Sequence, residues 1–99
     1  LGLGDDGHTA SLFPGTDAPA VRDRWTTIGR GKGLDRITLT APVLSAARQV
    51  VFLVSGDGKR QALSRLIDSG ESADRTPARL VQPTSEILVL ADQAAAEGL

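Results

Sequence analysis

The chain has 99 residues, of which 40% are hydrophobic and 23% charged, with 11 Lys and Arg against 12 Asp and Glu. This length suits one small domain or part of a larger one, and the balanced charge argues against a nucleic-acid-binding protein, which needs a strongly basic surface. The absence of cysteine excludes a disulfide framework, a thiolate nucleophile and a cysteine-ligated metal. No apolar run approaches the ~20 residues of a membrane-spanning helix, and nothing resembles a signal peptide. We therefore expect a cytoplasmic protein that does not bind a membrane.

Residues 1–99 are expected to be the C-terminal part of a larger domain. The sequence contains no methionine, so no initiator residue is present. Its first residues also have the pattern of a strand that ends in a turn, rather than of the start of a domain. Removal of the initiator would explain the first observation but not the second.

The first predicted elements lie at the start of the chain. Residues 1–4 are typical of the end of a strand. Asp6 is a good helix N-cap, because its carboxylate can accept hydrogen bonds from the free amides of a first turn, and it predicts a short helix over residues 9–13. Pro14 and Gly15 end that helix.

Two short strands are predicted in the middle of the chain, over residues 25–28 and 36–40. The second alternates polar and apolar residues, as a half-buried strand does. The segment between them, residues 29–33, consists of three glycines, Arg30 and Lys32. It predicts a flexible turn at the surface, with both cations in solvent.

The second half of the chain alternates helices and strands. Residues 49–54 contain a continuous β-branched and aromatic run, typical of a strand covered on both faces in a parallel sheet. Asp92 is a good N-cap for a last helix. The further predicted elements are helices over residues 43–48, 59–68 and 93–97, a helical turn over 77–81 and a strand over 87–90. Helices that repeatedly follow strands, with glycine turns between them, predict an α/β layered fold with a mostly parallel sheet.

The candidate catalytic residues lie within 4–8, where the single histidine follows two carboxylates and two glycines. His8 can take and return a proton near neutral pH, so it is the candidate general base. Asp6 is the candidate partner that holds the imidazole tautomer, with the helix cap as its alternative role. One histidine with nearby aspartates is too poor a ligand set for zinc, so no metal site is predicted.

Residues 2–14 follow the pattern G-x-G-x-D-G-H-T-A-S-L-F-P, which resembles the active-site motif of the 6-phosphogluconolactonase family. Three later blocks, residues 36–48, 54–59 and 78–83, resemble the C-terminal part of that family in the same order. The resemblance implies the Rossmann-like sheet that this family shares with glucosamine-6-phosphate deaminases. The deaminase motif has a glutamate five residues after the histidine, whereas this chain has Phe13 there, which favours lactone hydrolysis.

The resemblance implies hydrolysis of 6-phospho-D-glucono-1,5-lactone to 6-phosphogluconate in the oxidative pentose phosphate pathway, with His8 activating a water molecule and no cofactor. The amides around Gly4 to Gly7 are candidates for binding the oxyanion. Lys59 is implied to hold the phosphate of this sugar-phosphate lactone, near the start of a helix; its alternative is an exposed helical lysine. Arg36 is a second candidate for substrate contact, with a solvated strand end as its alternative.

Two features of the family are missing from these residues: a serine- and glycine-rich phosphate loop and an arginine from its N-terminal part. We therefore expect the chain alone to be inactive or feeble, and to self-associate through an exposed edge of its parallel sheet. Two other functions stay open. One is a sugar-phosphate isomerase or deaminase of the same superfamily, and the other is a non-catalytic sugar-phosphate-binding domain.

Overall fold

The computed structural model describes residues 1–99 as two small sheets with short helices. The strands are β1 (Thr26–Gly31), β2 (Leu34–Leu39), β3 (Val50–Val54) and β4 (Ile87–Ala91). The α-helices are α1 (Ala41–Ser45), α2 (Arg60–Ile67) and α3 (Gln93–Ala96), and 3-10 helices cover Ala18–Ala20, Asp57–Lys59 and Pro77–Leu80. No helix here has both the length and the apolar character that crossing a bilayer demands.

The parallel sheet is built around β3. β4 pairs with it in parallel along its full length, starting with Val50 opposite Ile87. On the other side of β3, Leu53 donates its backbone N–H to Leu1 O at 2.9 Å, and Gly2 forms a parallel bridge to Leu53. Both strands predicted in the second half of the chain are confirmed, and so is the parallel sheet.

The two faces of this sheet differ in burial. Phe52 points into the core and is completely buried, where it packs with buried residues of α1, α2 and α3. The side chains on the opposite face are open: Leu53 is 63% exposed, and Leu88 and Leu90 are 48% and 51% exposed. The expectation that this strand is covered on both faces is wrong for these residues, because all three helices contribute to the one core beneath Phe52.

β1 and β2 form a separate antiparallel hairpin. It closes in a two-residue turn, Lys32-Gly33, in which both residues have positive φ. The two predicted strands are confirmed, but the flexible turn predicted over residues 29–33 is wrong for its first part, because residues 29–31 belong to β1 and pair with β2.

The glycines of β1 allow close packing rather than flexibility. A Cβ on Gly29 would lie 2.2 Å from Ser11 O, and one on Gly31 would lie 2.4 Å from the Phe13 ring. Any side chain at either position would push the hairpin away. The hairpin therefore packs tightly against the segment that follows His8.

The short helix predicted after the histidine, over residues 9–13, is absent; the segment forms turns instead. Thr9 Oγ1 donates to Gly2 O at 2.7 Å, and the Ser11 N–H donates to Thr38 Oγ1 at 3.1 Å. The Thr9 hydroxyl and the Ser11 amide are thus bonded to residues outside the segment, which holds it in a non-helical path. Tertiary contacts therefore override the local helix signal here.

The elements around the second half of the sheet agree with the sequence pattern. Asp92 Oδ1 accepts the Ala95 N–H at 2.9 Å, so its predicted N-cap role is confirmed. The same carboxylate accepts the Gly56 N–H at 3.1 Å, which ties the turn after β3 to the start of α3. The predicted helix over residues 59–68 corresponds to α2, and the predicted helical turn over 77–81 corresponds to the 3-10 helix Pro77–Leu80.

Candidate active site

The single histidine is hydrogen-bonded to Asp6. Asp6 Oδ1 lies 2.5 Å from His8 Nδ1 and also accepts the His8 backbone N–H at 3.0 Å. Because an ionised carboxylate only accepts hydrogen bonds, Nδ1 carries the proton and the lone pair of Nε2 is left free. The helix-cap interpretation of Asp6 is wrong, because no helix follows it and its carboxylate holds the imidazole.

Opposing effects act on the Asp6 carboxyl. Partial burial raises its pKa, whereas the hydrogen bonds from the His8 ring and amide, together with the charges of His8 and Lys32, lower it. The lowering effects prevail, so the pKa of Asp6 lies below its usual value. The carboxylate is therefore ionised at neutral pH, as the assigned tautomer of His8 requires.

Gly4 and Gly7 shape the turn that carries this pair. A Cβ on Gly4 would lie 2.0 Å from His8 Nδ1, so the ring lies directly against the backbone, and Gly7 has a φ of +89°. The Gly4 N–H donates to His8 O at 2.8 Å, and the Gly7 N–H donates to Gly4 O at 3.0 Å. Both of these N–H groups donate within the turn, and the binding of an oxyanion by amides of the stretch from Gly4 to Gly7 stays a prediction. The amides of Asp5 and Asp6 donate to no group of the protein.

His8 and Lys59 line the same cleft, which has a volume of about 370 Å³. Lys59 is the last residue of the 3-10 helix before α2, and its Nζ donates to Leu3 O at 2.6 Å. That bond places the ammonium beside the turn that carries the histidine. The other residues that line the cleft are Gly2, Leu3, Gly4, Thr9 and Ala10. The fold thus brings the predicted base and the predicted phosphate contact together.

A larger depression, of about 480 Å³, lies on the open face of the parallel sheet, around Leu53 and Leu90. Its one titratable side chain is Asp92, whose carboxylate caps α3. The depression therefore has no free base or cation for catalysis. Nowhere in the chain do three or more His, Cys, Asp or Glu side chains cluster as metal ligands. The chemistry is concentrated in the cleft beside His8.

Arg36 is not among the residues that line this cleft. Its guanidinium carbon lies 5.9 Å from the centroid of the Phe13 ring, a cation–π distance. Phe13 in turn packs on His8, with ring centroids 4.4 Å apart and ring planes tilted by 38°. Arg36 therefore contacts the site through an aromatic ring, and its role in substrate binding stays a prediction.

Lys32 is a residue of the site that sequence reasoning missed. Its Nζ lies 3.5 Å from Asp5 Oδ1 and 3.8 Å from Asp6 Oδ2. Lys32 is exposed, as the sequence predicts, but its ammonium also pairs with both carboxylates of the site. Nothing near Lys32 in the sequence signals the contact, because it depends on how the hairpin packs against the His8 turn.

A second group of residues that the sequence did not reveal supports the turn from α2 and the loop after it. Arg65 Nε donates to Thr76 Oγ1 at 3.2 Å, and Thr76 Oγ1 donates to Glu71 Oε2 at 2.7 Å. Arg65 Nη2 donates to Asp5 O at 3.5 Å, and a Cβ on Gly7 would lie 3.1 Å from Thr76. This network holds Asp5 and Gly7 in place on the side of the turn that faces α2.

The residues of the cleft all fall within a match to a protein-family model. The model described as glucosamine-6-phosphate isomerases/6-phosphogluconolactonase matches residues 1–90. The chain belongs to this family. Membership in the family agrees with the resemblance seen in residues 2–14 and in the three later blocks.

Curated relatives in this family include enzymes from distant organisms. The chain is 50% identical over 99 residues to a 6-phosphogluconolactonase of Synechocystis sp., and the match covers 100% of this chain and 41% of the relative. It is 42% identical over 102 residues to a 6-phosphogluconolactonase of Homo sapiens, with 97% of this chain and 38% of the relative covered. The chain thus spans about two fifths of the length of these relatives.

Solved structures of the family have the same fold over this length. A 6-phosphogluconolactonase from Leishmania guyanensis is 27% identical with a TM-score of 0.87, and one from Trypanosoma brucei is 28% identical with a TM-score of 0.86. Each match covers 100% of this chain and 40% of the other chain. A monomeric glucosamine-6-phosphate deaminase, 23% identical with a TM-score of 0.72, shares the fold. The predicted α/β fold is confirmed.

Proposed function

We propose that this chain is the C-terminal part of a 6-phosphogluconolactonase. The full-length protein would hydrolyse 6-phospho-D-glucono-1,5-lactone to 6-phosphogluconate in the cytoplasm, as a step of the oxidative pentose phosphate pathway. The observation that carries the proposal is the hydrogen bond between Asp6 Oδ1 and His8 Nδ1, which leaves Nε2 free in a chain whose cleft also contains Lys59. Relatives with this name match nearly the whole chain, which supports the same activity here.

The proposed reaction is the addition of water to an activated ester. His8 Nε2 takes a proton from water as the water oxygen attacks the C1 carbonyl. The tetrahedral intermediate then collapses, the bond between C1 and the ring oxygen breaks, and the imidazolium returns its proton to that oxygen. Proton transfer by a positioned side chain is worth about 10²–10⁴-fold in rate. The ionised Asp6 stabilises the imidazolium between the two transfers.

Donors near the base are proposed to hold the anionic parts of the substrate. The Lys59 ammonium has three donor hydrogens, and its bond to Leu3 O uses one of them. The others are available to the phosphate. The amides of Asp5 and Asp6 are the free donors of the turn and are proposed to bind the oxyanion. Arg36, over Phe13, is proposed to add a longer-range attraction for the phosphate.

The alternative functions have less support. A deaminase of this superfamily needs a carboxylate where this chain has Phe13, and that residue is only 3% exposed and packs on His8. A binding domain without catalysis gives no reason for an ionised carboxylate to hold the histidine tautomer. Ammonia release from glucosamine 6-phosphate distinguishes the deaminase, and lactone hydrolysis distinguishes an enzyme from a binding domain.

The decisive variant is His8→Gln in the full-length protein, with lactone hydrolysis corrected for the spontaneous reaction. We expect kcat to fall by about 10²–10⁴-fold, because the general base is removed. Lys59→Gln is the companion variant, and it is expected mainly to raise KM because it removes a phosphate contact. Unchanged turnover in His8→Gln would exclude the catalytic role of the histidine.

We also propose that residues 1–99 on their own are inactive or feeble and self-associate through the free edge of β4. This strand pairs only with β3, so its outer edge leaves backbone N–H and C=O groups available to another chain. The partly exposed Leu88 and Leu90 lie on the same strand. Sedimentation of the 99-residue polypeptide tests the association, and a monomer throughout the micromolar range contradicts it.

A further inference from the structure

The turn that joins β1 to β2 has an unusual residue at its first position. Lys32 has a φ of +56° and Gly33 a φ of +77°, and two-residue turns of this kind prefer Asn, Asp or Gly. A lysine in the left-handed region carries a backbone cost that glycine avoids. The backbone of the turn does not explain a lysine at this position, whereas the contacts of its side chain do.

The Lys32 ammonium lies between the two carboxylates of the site. Its Nζ is 3.5 Å from Asp5 Oδ1 and 3.8 Å from Asp6 Oδ2. The other oxygen of Asp6, Oδ1, is the one that lies 2.5 Å from His8 Nδ1. One carboxylate therefore has the histidine at one oxygen and the hairpin cation at the other, and this arrangement restricts its rotation.

The same hairpin contacts the histidine by a second route. Gly31, next to Lys32, leaves room for the Phe13 ring, because a Cβ there would lie 2.4 Å from it. Phe13 packs on the His8 ring with a centroid separation of 4.4 Å. The two side chains that contact the imidazole, Asp6 and Phe13, thus both depend on where the hairpin tip lies.

We propose that the β1–β2 hairpin positions His8 and that Lys32 is its positioning residue. Lys32 holds the Asp6 carboxylate in the orientation that keeps it hydrogen-bonded to the imidazole. The inference rests on the proposed function, since it takes His8 as the base. Lys32 itself is not among the residues that line the cleft. Lys32 is therefore proposed to act through the carboxylates that it contacts, chiefly that of Asp6, and not by touching the substrate.

The charges around Asp6 decide in which direction its pKa moves when Lys32 is replaced. Lys32 and the His8 ring face its carboxylate, Asp5 shares the Lys32 ammonium, and the Arg65 guanidinium approaches Asp5 O. Removing the charge of Lys32 removes one of the effects that lower the pKa of Asp6. The titration of Asp6 then moves to higher pH, and the carboxylate is freer to turn away from His8.

Lys32→Asn in the full-length protein tests the proposal, because asparagine suits a positive φ and keeps the turn while the charge is lost. We expect Tm to be unchanged or higher and the Asp6 titration, followed by ¹³C NMR, to move to higher pH. We expect kcat to fall about two- to fivefold, the range of a partly exposed ion pair, with little change in KM. Lys32→Arg restores the cation and is expected to recover both readouts.

Arg30→Gln is the matched control. It removes a cation from the same hairpin, where Arg30 pairs with Asp35 at 3.5 Å rather than with the site, so it should leave the Asp6 titration and kcat unchanged. The proposal is overturned if Lys32→Asn leaves both quantities at wild-type values, or if Lys32→Arg fails to recover them. The NMR titration needs no lactone, so it still tests the Lys32 contact if the protein lacks lactonase activity and the proposed function fails.

Discussion

β3 and the β1–β2 hairpin use their inward faces in different ways. The inward side chains of β3, with Phe52 at their centre, belong to the hydrophobic core, whereas the hairpin contributes no residue to it. The inward face of the hairpin has Gly29 and Gly31 instead, which pack against Ser11 and Phe13. Core burial stabilises the chain, and the close approach of the hairpin positions the histidine. Stability and site geometry therefore come from different parts of the fold.

The outward faces differ as well. Ile28 and Ile37 form a cross-strand pair on the hairpin, 46% and 85% exposed, and Leu53 and Leu90 are open on the parallel sheet. Antiparallel strands commonly leave one face in water, whereas parallel sheets are usually covered on both faces. The open face of the parallel sheet is thus the less usual of the two.

The largest expected effect is a difference in the free energy of unfolding between substitutions on the two faces of β3. Phe52→Ala removes a fully buried ring and is expected to lower the free energy of unfolding by about 3–5 kcal/mol. Leu53→Ala is the matched control on the open face, and we expect it to change stability by no more than about 0.5 kcal/mol. Urea denaturation measures both. Equal losses in the two variants would contradict this assignment of the faces.

An intermediate effect is expected where the hairpin meets the site. Gly31→Ala places a methyl group 2.4 Å from the Phe13 ring, and relieving that clash is expected to cost about 1–3 kcal/mol of stability. Because Phe13 packs on His8, kcat should fall in the same variant. Gly70→Ala is the control, since the nearest atom to its Cβ lies at an ordinary 3.5 Å. Wild-type Tm and kcat in Gly31→Ala would show that the hairpin does not need this close approach.

The smallest effect concerns the ionisation of Asp6. Burial raises the pKa of Asp6, but its hydrogen bonds to His8 and the nearby positive charges lower the pKa by more than burial raises it. The folded pKa therefore lies below the usual 3.8. A carboxyl of this kind stabilises the fold above its unfolded pKa and loses that contribution as pH falls through its folded pKa. The difference in Tm between the wild type and Asp6→Asn should therefore be largest near neutral pH and shrink in acid. A difference in Tm that does not change with pH would show that ionisation of Asp6 does not stabilise the fold.

Much of the site was predictable from the sequence. His8 and Asp6 lie two residues apart, so a hydrogen bond between them needs only a tight turn, and the glycines on either side permit it. The place of Lys59 was also predictable in outline, because a strand with a continuous apolar run precedes its turn and residues after parallel strands meet at one edge of a sheet. The occupied amides of Gly4 and Gly7 were not, because their acceptors depend on the exact path of the turn.

Three features follow from local sequence alone: the strand at residues 49–54, the helix after it and the N-cap at Asp92. Each of these depends on side-chain periodicity or on hydrogen bonds within a few residues. Long-range contacts, by contrast, explain why residues 9–13 form bonds to Gly2 and Thr38 in place of a helix. They also explain the ion pair between Lys32 and Asp6. These outcomes join residues far apart in the chain, where the free energy of packing and of satisfying buried polar groups outweighs local preference.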